Sequence, residues 1–359
     1  MIAGRLHLYI ARRFTAALAL ILVAVAIIIF LADYVEVLRR FGDEAGFGPL
    51  LGLMLVSMRA PLLLDTVLPF AFLFAALLSL LSLSRQLELV VARASGVSVW
   101  GFLKAPFSIA ILLGVLATAF LNPVAISLKD GADKIEAELS GAAARRDAGH
   151  WFRQESAAGQ SIVHSGSVSH DGRELSGVTA FVFDSSGKFR EKVAARRAQY
   201  ADNYWALDDA EIVSASSAPR RMERYALPTE LDAAELRRSV VQPEAASVWS
   251  LPGLIQTAER TGLASDRFRM AYHSLLNRPL FLVAMVAIAA TVSLRLSRYG
   301  GAWRLILTGV VVGFLLYVLT EIVSDLGANG IINPILAAWL PPLVALTFGA
   351  TVLLHQEDG

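Results

Sequence analysis

The sequence predicts an α-helical integral membrane protein with six transmembrane helices and an inserted antiparallel β domain. Of the 359 residues, 55% are hydrophobic and only 18% are charged, whereas soluble domains carry roughly 25% charge. The charges are also concentrated, because residues 129–267 contain 39 of the 63 charged residues. A polar domain therefore interrupts a hydrophobic chain. A single soluble globule is excluded, and the net charge of +1 lacks the basic excess of a nucleic-acid-binding protein.

Six stretches are long and apolar enough to cross a bilayer, which requires about 20 residues of helix. The first, residues 14–32, stays apolar after its Ala-x-Ala sequence, so we expect a retained helix rather than a cleaved signal peptide. The second, residues 47–83, exceeds one span and contains three prolines. We expect an interfacial segment there, followed by a kinked span from about residue 62. The other predicted spans are residues 106–128, 279–294, 303–323 and 334–354.

The charges beside these spans predict the orientation of the chain. Nine lysines and arginines flank the spans on the side shared by both termini, whereas short segments on the other side carry only Arg39 and Arg40, accompanied by acidic residues. Basic flanking segments stay in the cytoplasm. We therefore expect cytoplasmic termini, with transmembrane regions 1–128 and 268–359 on either side of an extracytoplasmic domain, residues 129–267.

The inserted domain has short runs of β-favouring residues separated by turn residues, a pattern that is typical of an antiparallel β domain. In the alternating stretch 178–183, Phe181 and Phe183 share one face and Ala180 and Val182 the other. We expect Phe181 or Phe183 to line the interior of the domain. That interior is either an open apolar path or an ordinary sealed sandwich core.

The chain carries no recognisable catalytic chemistry of its own. It has no cysteine, no phosphate-binding loop of a nucleotide hydrolase, and no zinc-protease or serine-hydrolase motif. We therefore expect a noncatalytic protein that binds no metal and no cofactor. Its energy must come from a partner or from an ion gradient.

A short amphipathic helix is predicted at about residues 83–96, between the second and third spans. Its apolar residues recur at helical spacing, Arg85, Glu88 and Arg93 lie off that stripe, and Gly96 ends it. A cytoplasmic helix of this kind suits a groove in a soluble motor subunit. An interfacial helix on the inner leaflet explains the pattern equally well.

The run from Glu88 to Gly96, Glu-Leu-Val-Val-Ala-Arg-Ala-Ser-Gly, resembles the LptF/LptG family of lipopolysaccharide export permeases, with the LptG branch as the better match. The similarity continues through residues 34–40, 204–207 and 313–319. It implies a permease of the bacterial inner membrane with a periplasmic β-jellyroll, which extracts lipopolysaccharide from the outer leaflet and passes it to a periplasmic bridge. The implied partners are the sister permease LptF, the ATPase dimer LptB, which uses ATP and Mg²⁺, the bridge protein LptC, lipopolysaccharide and membrane lipids.

The resemblance also assigns roles to individual residues. Glu88 would contact the ATPase, within a coupling segment that includes Arg85, Arg93 and Gly96. Arg39 and Arg40 would bind lipid phosphates, since guanidinium groups suit phosphate, although arginines that snorkel to the interface need no substrate. Family members can carry a lysine where Asp33 stands, which weakens the argument for an anionic ligand at that position.

The fifth predicted span carries three further candidates. Gly309 and Gly313 permit close helix packing or a gating role, and Glu321 is an acidic residue near the outer end of the span. Three rival interpretations remain open: the sister permease LptF, a membrane-anchored scaffold without transport, and a proton-coupled transporter that uses Glu321 or Asp325.

Overall fold

The chain is represented by a computed structural model, which divides into two compact units. The helical unit comprises Met1–Gly42, Gly48–Ala132 and Ala246–Gly359, and the β unit comprises Asp43–Phe47 and Asp133–Ala245. The residues from 246 onward therefore belong with the helices, whereas the predicted polar domain extended to residue 267. The structure describes residues 2–42, 44, 46–86, 88–94, 96–139, 150–156, 159–168, 174–184, 188–201, 203–214, 217–229, 246–260, 265–294 and 302–358.

Six helices, or helical runs, in the described part of the chain are long and apolar enough to cross a membrane, as predicted. The described helices are α1 Ile2–Phe41, α2 Pro49–Arg85, α3 Glu88–Ala94, α4 Val99–Leu116, the π-helical turn Ala117–Leu121, α5 Asn122–Leu139, α6 Leu251–Arg260, α7 Asp266–Ser293, α8 Ala302–Ala328 and α9 Pro334–Asp358. The six candidate spans are α1, α2, the run from α4 through the π-helical turn into α5, α7, α8 and α9.

The second helix differs from its prediction. The predicted interfacial segment and the predicted kinked span from about residue 62 belong to one continuous helix, since α2 has 37 residues with Pro61 and Pro69 inside it. Pro49 begins the helix, where its missing N–H costs no hydrogen bond. At 1.5 Å per residue α2 is about 55 Å long, well beyond the bilayer core. Interior prolines are tolerated in a membrane helix that packs against neighbours.

The helical unit is built around α7, whose residues 282–290 are almost entirely buried. Its Leu282 and Met285 join a core with Phe14 of α1 and Phe72 of α2. Only 11% of the apolar window of α1 is buried, and the share is the same for α8. These two helices therefore lie at the periphery of the chain and present apolar faces to lipid or to another protein.

Six antiparallel strands form one sheet in the β unit, so the inserted antiparallel β domain is confirmed. Each strand pairs with the next in sequence, which makes the described topology a meander, whereas a jellyroll exchanges strands between two sheets. Short connections favour pairing between sequence neighbours. The strands are β1 His150–Ser156, β2 Gly159–Val168, β3 Glu174–Phe183, β4 Phe189–Ala201, β5 Tyr204–Ser214 and β6 Ser217–Pro228.

The sheet rolls so that its first strand approaches the end of its last. The buried amide of Gln154 in β1 donates a hydrogen bond to the Pro228 carbonyl (3.3 Å) and accepts one from the Thr229 hydroxyl (2.8 Å). The inner face holds the core, in which Trp205 is the largest fully buried side chain and meets the Tyr200 ring edge-on at 5.3 Å. The side-chain bonds between β1 and β6 close the roll around that core.

Candidate functional site

The helix predicted at residues 83–96 is divided in the structure between the end of α2 and a separate short helix, α3. The second helix ends at Arg85, where the Gln86 N–H donates to the Ser82 carbonyl (3.1 Å) and closes its last turn. The seven-residue α3 then begins at Glu88. Leu83 belongs to α2, so the apolar stripe that predicted one helix spans two.

Gly96 ends α3, as the sequence predicts, and its backbone explains why glycine stands there. Its φ is +86°, in the left-handed region that favours glycine. The Val97 N–H donates to the Ala92 carbonyl (3.1 Å), the six-to-one bond of a Schellman cap. Ser98 then caps α4 by accepting a hydrogen bond from the Gly101 N–H at 3.2 Å. The turn after α3 is therefore defined by backbone geometry on both sides.

One side of α3 packs on the helical unit and another is exposed. Ala92 packs against a buried cluster that includes Ile10, Leu83 and Phe102, whereas Val91 is 68% exposed. Arg85, at the end of α2, is also exposed, and the side chain of Arg93 lies outside the described residues. The described surface of α3 therefore exposes one large apolar side chain, that of Val91.

Glu88 lies against the first helix. Its carboxylate, 38% exposed, accepts hydrogen bonds from the Tyr9 hydroxyl (3.2 Å) and from Nη1 of Arg13 (3.3 Å). Nη1 of Arg13 also donates to the Tyr9 oxygen, and its Nη2 donates to Ser82 Oγ and Gln86 Oε1, all at 2.7 Å. Sequence reasoning selected Glu88 but missed Tyr9 and Arg13. The available signal was their spacing of four residues, which places both on one helix face.

Arg39 and Arg40 occupy the last turn of α1, at the opposite end from Arg13. The Arg39 guanidinium is exposed and makes a two-pronged contact with Glu36, from Nε at 3.0 Å and Nη2 at 2.8 Å. The Arg40 guanidinium lies 5.2 Å from the centre of the Phe41 ring. Arginine carries five N–H donors, so the pairing of Arg39 with Glu36 leaves donors directed to solvent.

Asp33 forms an ion pair with Arg59 of α2 at 3.5 Å. The acidic residue at position 33 is thus neutralised by an arginine from the neighbouring helix. The sequence showed Arg59 as an interruption of a long apolar stretch, but the partner could not be assigned without the packing of α1 against α2. The pair joins these two helices near the same end as Arg39.

The two phenylalanines of β3 differ in position. Burial alternates along the strand, and Val178, Ala180 and Val182 face the core. Phe181 is on the other face, with its ring centre 5.9 Å from the Lys192 ammonium. Phe181 therefore lies outside the core face of β3, and Phe183 is the remaining candidate of the prediction that one of the two lines the interior. Phe183 follows a register shift between β3 and β4 and lines a cavity of about 190 Å³.

Polar groups border that cavity. The Tyr225 hydroxyl donates to Glu191 Oε1 at 2.9 Å, and Nη2 of Arg190 contacts the same oxygen at 2.7 Å. Burial, reinforced by the hydrogen bond to Glu191, raises the pKa of Tyr225 to about 12. Tyr225 therefore stays a neutral donor at physiological pH, and the cavity beside Phe183 is partly polar rather than a wholly apolar channel.

Gly309 and Gly313 pack α8 closely against α2. A Cβ atom at Gly309 would lie 2.8 Å from Leu77 Cδ2, and one at Gly313 would meet Leu73 in the same way. The two glycines thus act in packing within this chain, the use expected of small residues between membrane helices. Glu321, two turns farther along α8, is exposed on the surface of the chain.

A buried ion pair inside the helical unit was not predicted. Nη1 of Arg278 in α7 donates to Asp65 Oδ1 in α2 at 2.7 Å, with side chains 19% and 6% exposed. The sequence showed Asp65 inside an apolar stretch and Arg278 directly before one, and ionisable residues at membrane depth usually pair with one another. Their separation of 213 residues hid which of the charges are partners.

Comparison with known proteins agrees with this architecture. A family model described as lipopolysaccharide export system permease LptF/LptG matches residues 8–355. The lipopolysaccharide export system permease protein LptG of Escherichia coli (strain K12) is 23% identical over 366 residues, covering 99% of each chain. The protein of the same name from Haemophilus influenzae is 24% identical over 363 residues, covering 98% of each chain.

Proposed function

Because the chain belongs to the LptF/LptG family of lipopolysaccharide export permeases, we propose that it is the LptG-type, noncatalytic subunit of an ATP-driven lipopolysaccharide exporter. It extracts lipopolysaccharide from the outer leaflet of the inner membrane and passes it to a periplasmic bridge protein, LptC. Its other partners are the sister permease LptF and the cytoplasmic ATPase dimer LptB, which consumes ATP and Mg²⁺. The observation that carries the proposal is the match over residues 8–355, and the LptG names of the relatives favour LptG over LptF.

In this proposal α3 is the helix that docks on the ATPase. Its exposed Val91 supplies an apolar contact, and the turn at Gly96 and Ser98 sets the direction of the helix. Glu88 adds a charge-assisted hydrogen bond to the ATPase, because a carboxylate has about four acceptor positions and α1 does not use them all. The basic residues beside the spans support cytoplasmic termini, which place α3 in the cytoplasm and the β unit in the periplasm.

The opposite end of α1 contacts the substrate. Arg39 and Arg40 offer guanidinium donors to the phosphates of lipopolysaccharide at the outer leaflet. The pairing of Asp33 with Arg59 removes the negative charge that would oppose such a ligand. The exposed apolar faces of α1 and α8 supply the surfaces that contact acyl chains and the sister permease.

Val91→Asp tests the docking helix. In a complex of the chain with its sister permease and ATPase, we expect the variant to bind the ATPase roughly tenfold more weakly, because a carboxylate buried in an apolar groove costs about 1–3 kcal/mol or more. Val91→Ala, which removes only two methyl groups, is the matched control. The measurements are copurification of the ATPase and ATP-dependent release of lipopolysaccharide from proteoliposomes.

The same assay separates the rival functions. A Val91→Asp complex with full ATPase binding and full release would remove α3 from the coupling role. Export that needs no ATPase and collapses with an uncoupler would favour proton coupling through Glu321 or Asp325. An assembled complex that releases no lipopolysaccharide with ATP would leave the chain as a scaffold.

Arg39→Glu combined with Arg40→Glu tests the substrate contact. We expect crosslinking of lipopolysaccharide to the end of α1 to fall roughly tenfold, because two cations that attract anionic lipid are replaced by anions. Arg39→Lys with Arg40→Lys keeps the charge but loses the guanidinium fork. Its lipopolysaccharide crosslinking should lie between that of the unchanged protein and that of the double glutamate variant. Copurification of the sister permease is the control for assembly, and unchanged crosslinking would show that these arginines only snorkel.

A further inference from the structure

Arg13 joins three helices at the amino-terminal end of α1. From α1 its guanidinium contacts Glu88, the first residue of α3, together with Ser82 and Gln86 at the end of α2. The Tyr9 hydroxyl, one turn earlier on α1, completes the network by contacting both Glu88 and Arg13. Residues 75 positions apart in the chain are thus linked through one planar group that donates in several directions.

The position of Arg13 on α1 is fixed by its neighbours. Ile10 and Phe14, which flank it on the same helix, are fully buried, and the Phe14 ring packs 6.0 Å from the Phe72 ring of α2. The Arg13 side chain itself is only 24% exposed. The Arg13 side chain therefore has little freedom to change its conformation. A displacement of Glu88 moves the backbone of α1 together with Arg13.

The helix that Arg13 belongs to is continuous over 40 residues, Ile2–Phe41. Arg13 and Arg39 are 26 residues apart, about 40 Å along the helix. In contrast, α3 has seven residues, too few for a helix that is stable alone. The packing of Ala92 against the helical unit holds the short helix in place, and Arg13 links it to α1. The long helix can carry a movement from one membrane surface to the other.

We infer that Arg13 is a positioning residue that transmits movement of α3 to α1, so that an event at the docking helix reaches the end of α1 that carries Arg39 and Arg40. This inference rests on the proposed function, because it assigns the source of the movement to the ATPase. Arg13 acts through Glu88 and contacts neither nucleotide nor lipid. The guanidinium fork is essential to this role, since a single ammonium group cannot span Glu88 and the end of α2 at once.

The test is the amount of lipopolysaccharide released per ATP hydrolysed by the reconstituted complex. For Arg13→Gln we expect this ratio to fall about fivefold or more, the lower end of typical coupling between sites, with ATPase binding and ATP hydrolysis unchanged. Arg13→Lys should be intermediate. The matched control is Arg12→Gln, which removes the same charge from an exposed neighbour on the same helix and should leave the ratio unchanged.

A second measurement reports the link without relying on export. The chain has no cysteine, so Ala16→Cys on α1 and Ala94→Cys on α3, both exposed positions, can carry a pair of spin labels. We expect their separation to stay the same between nucleotide-free and ATP-bound complexes, and to change once Arg13→Gln is added. If the distance between the two spin labels differed between the nucleotide-free and ATP-bound complexes that retain Arg13, the inference would be overturned.

The two proposals fail in different ways. A complex with native Arg13 that exports nothing with ATP contradicts the proposed function, while the spin labels still report whether α1 and α3 move together. A complex that exports with ATP, and in which Arg13→Gln keeps the normal ratio, contradicts the role of Arg13 alone. A variant that lowers the ratio only because it loses the ATPase would show a structural role instead.

Discussion

Asp65→Leu is expected to destabilise the helical unit strongly. The substitution leaves the Arg278 guanidinium, only 19% exposed, without its carboxylate partner in α2. Removing one member of a buried ion pair typically costs about 3–5 kcal/mol, because the remaining charge is desolvated and uncompensated. The measurement is the thermal unfolding temperature of the full chain in detergent, together with the yield of folded protein from membranes.

The double variant Asp65→Leu with Arg278→Leu isolates the cause. It removes both charges, and apolar replacements of a buried pair are often neutral or stabilising, so we expect it to be more stable than Asp65→Leu alone. Glu259→Ala is the control for an exposed pair, since Glu259 contacts Arg269 at the surface and exposed pairs contribute little. Equal destabilisation of the single and double variants would show that the unpaired Arg278 charge is not the cause of the lost stability.

This ion pair illustrates what the sequence of a membrane protein specifies and what it does not. The six spans follow from the length and hydropathy of each stretch, because the bilayer imposes that requirement on every helix separately. The pairing of Asp65 with Arg278, of Asp33 with Arg59, and of Glu88 with Arg13 depends on which helices are neighbours. Helix packing is a property of the whole unit, so no single stretch encodes it.

Prolines and glycines show the same difference between local and tertiary information. Gly96 was identified as a helix end because its left-handed backbone is a local property. The role of Gly313 in packing against Leu73 needed the neighbouring helix. Pro61 and Pro69 predicted a kinked span, and in the structure both lie inside one continuous helix. In a membrane helix, contacts with adjacent helices offset the lost backbone hydrogen bonds.

In the β unit, the alternation of side chains along residues 178–183 correctly divided them between the two faces of β3. It did not identify which face is the inner one. The sequence prediction placed Phe181 or Phe183 at the interior because phenylalanine is large and apolar, whereas the core face of β3 carries Val178, Ala180 and Val182. The sheet rolls until β1 approaches the end of β6, and the concave side of such a roll has less room than its outer side. This inner core is filled by aliphatic side chains, among them Val163, Leu207 and Ile212, and by one large ring, Trp205.

Replacement of the Trp205 ring is expected to cause the second large loss of stability, in the β unit. Trp205→Ala should destabilise the rolled sheet by about 3–5 kcal/mol, the usual cost of emptying a buried aromatic site. The side chain is 1% exposed, lies in the middle of the inner core and packs edge-on against Tyr200. The measurements are the rate of limited proteolysis between β1 and β6 in the full chain, and lipopolysaccharide release by the complex.

Trp205→Phe is the matched variant, and it separates volume from polarity. Within the described part of the chain the Trp205 Nε1 group is buried without a hydrogen-bond acceptor, an arrangement that typically costs about 1–3 kcal/mol. Phenylalanine leaves a smaller void than alanine and removes the unpaired N–H, so the two effects oppose and the net loss should be about 1 kcal/mol or less. Equal proteolysis of the Ala and Phe variants would contradict this, since it would mean that the ring does not support the roll.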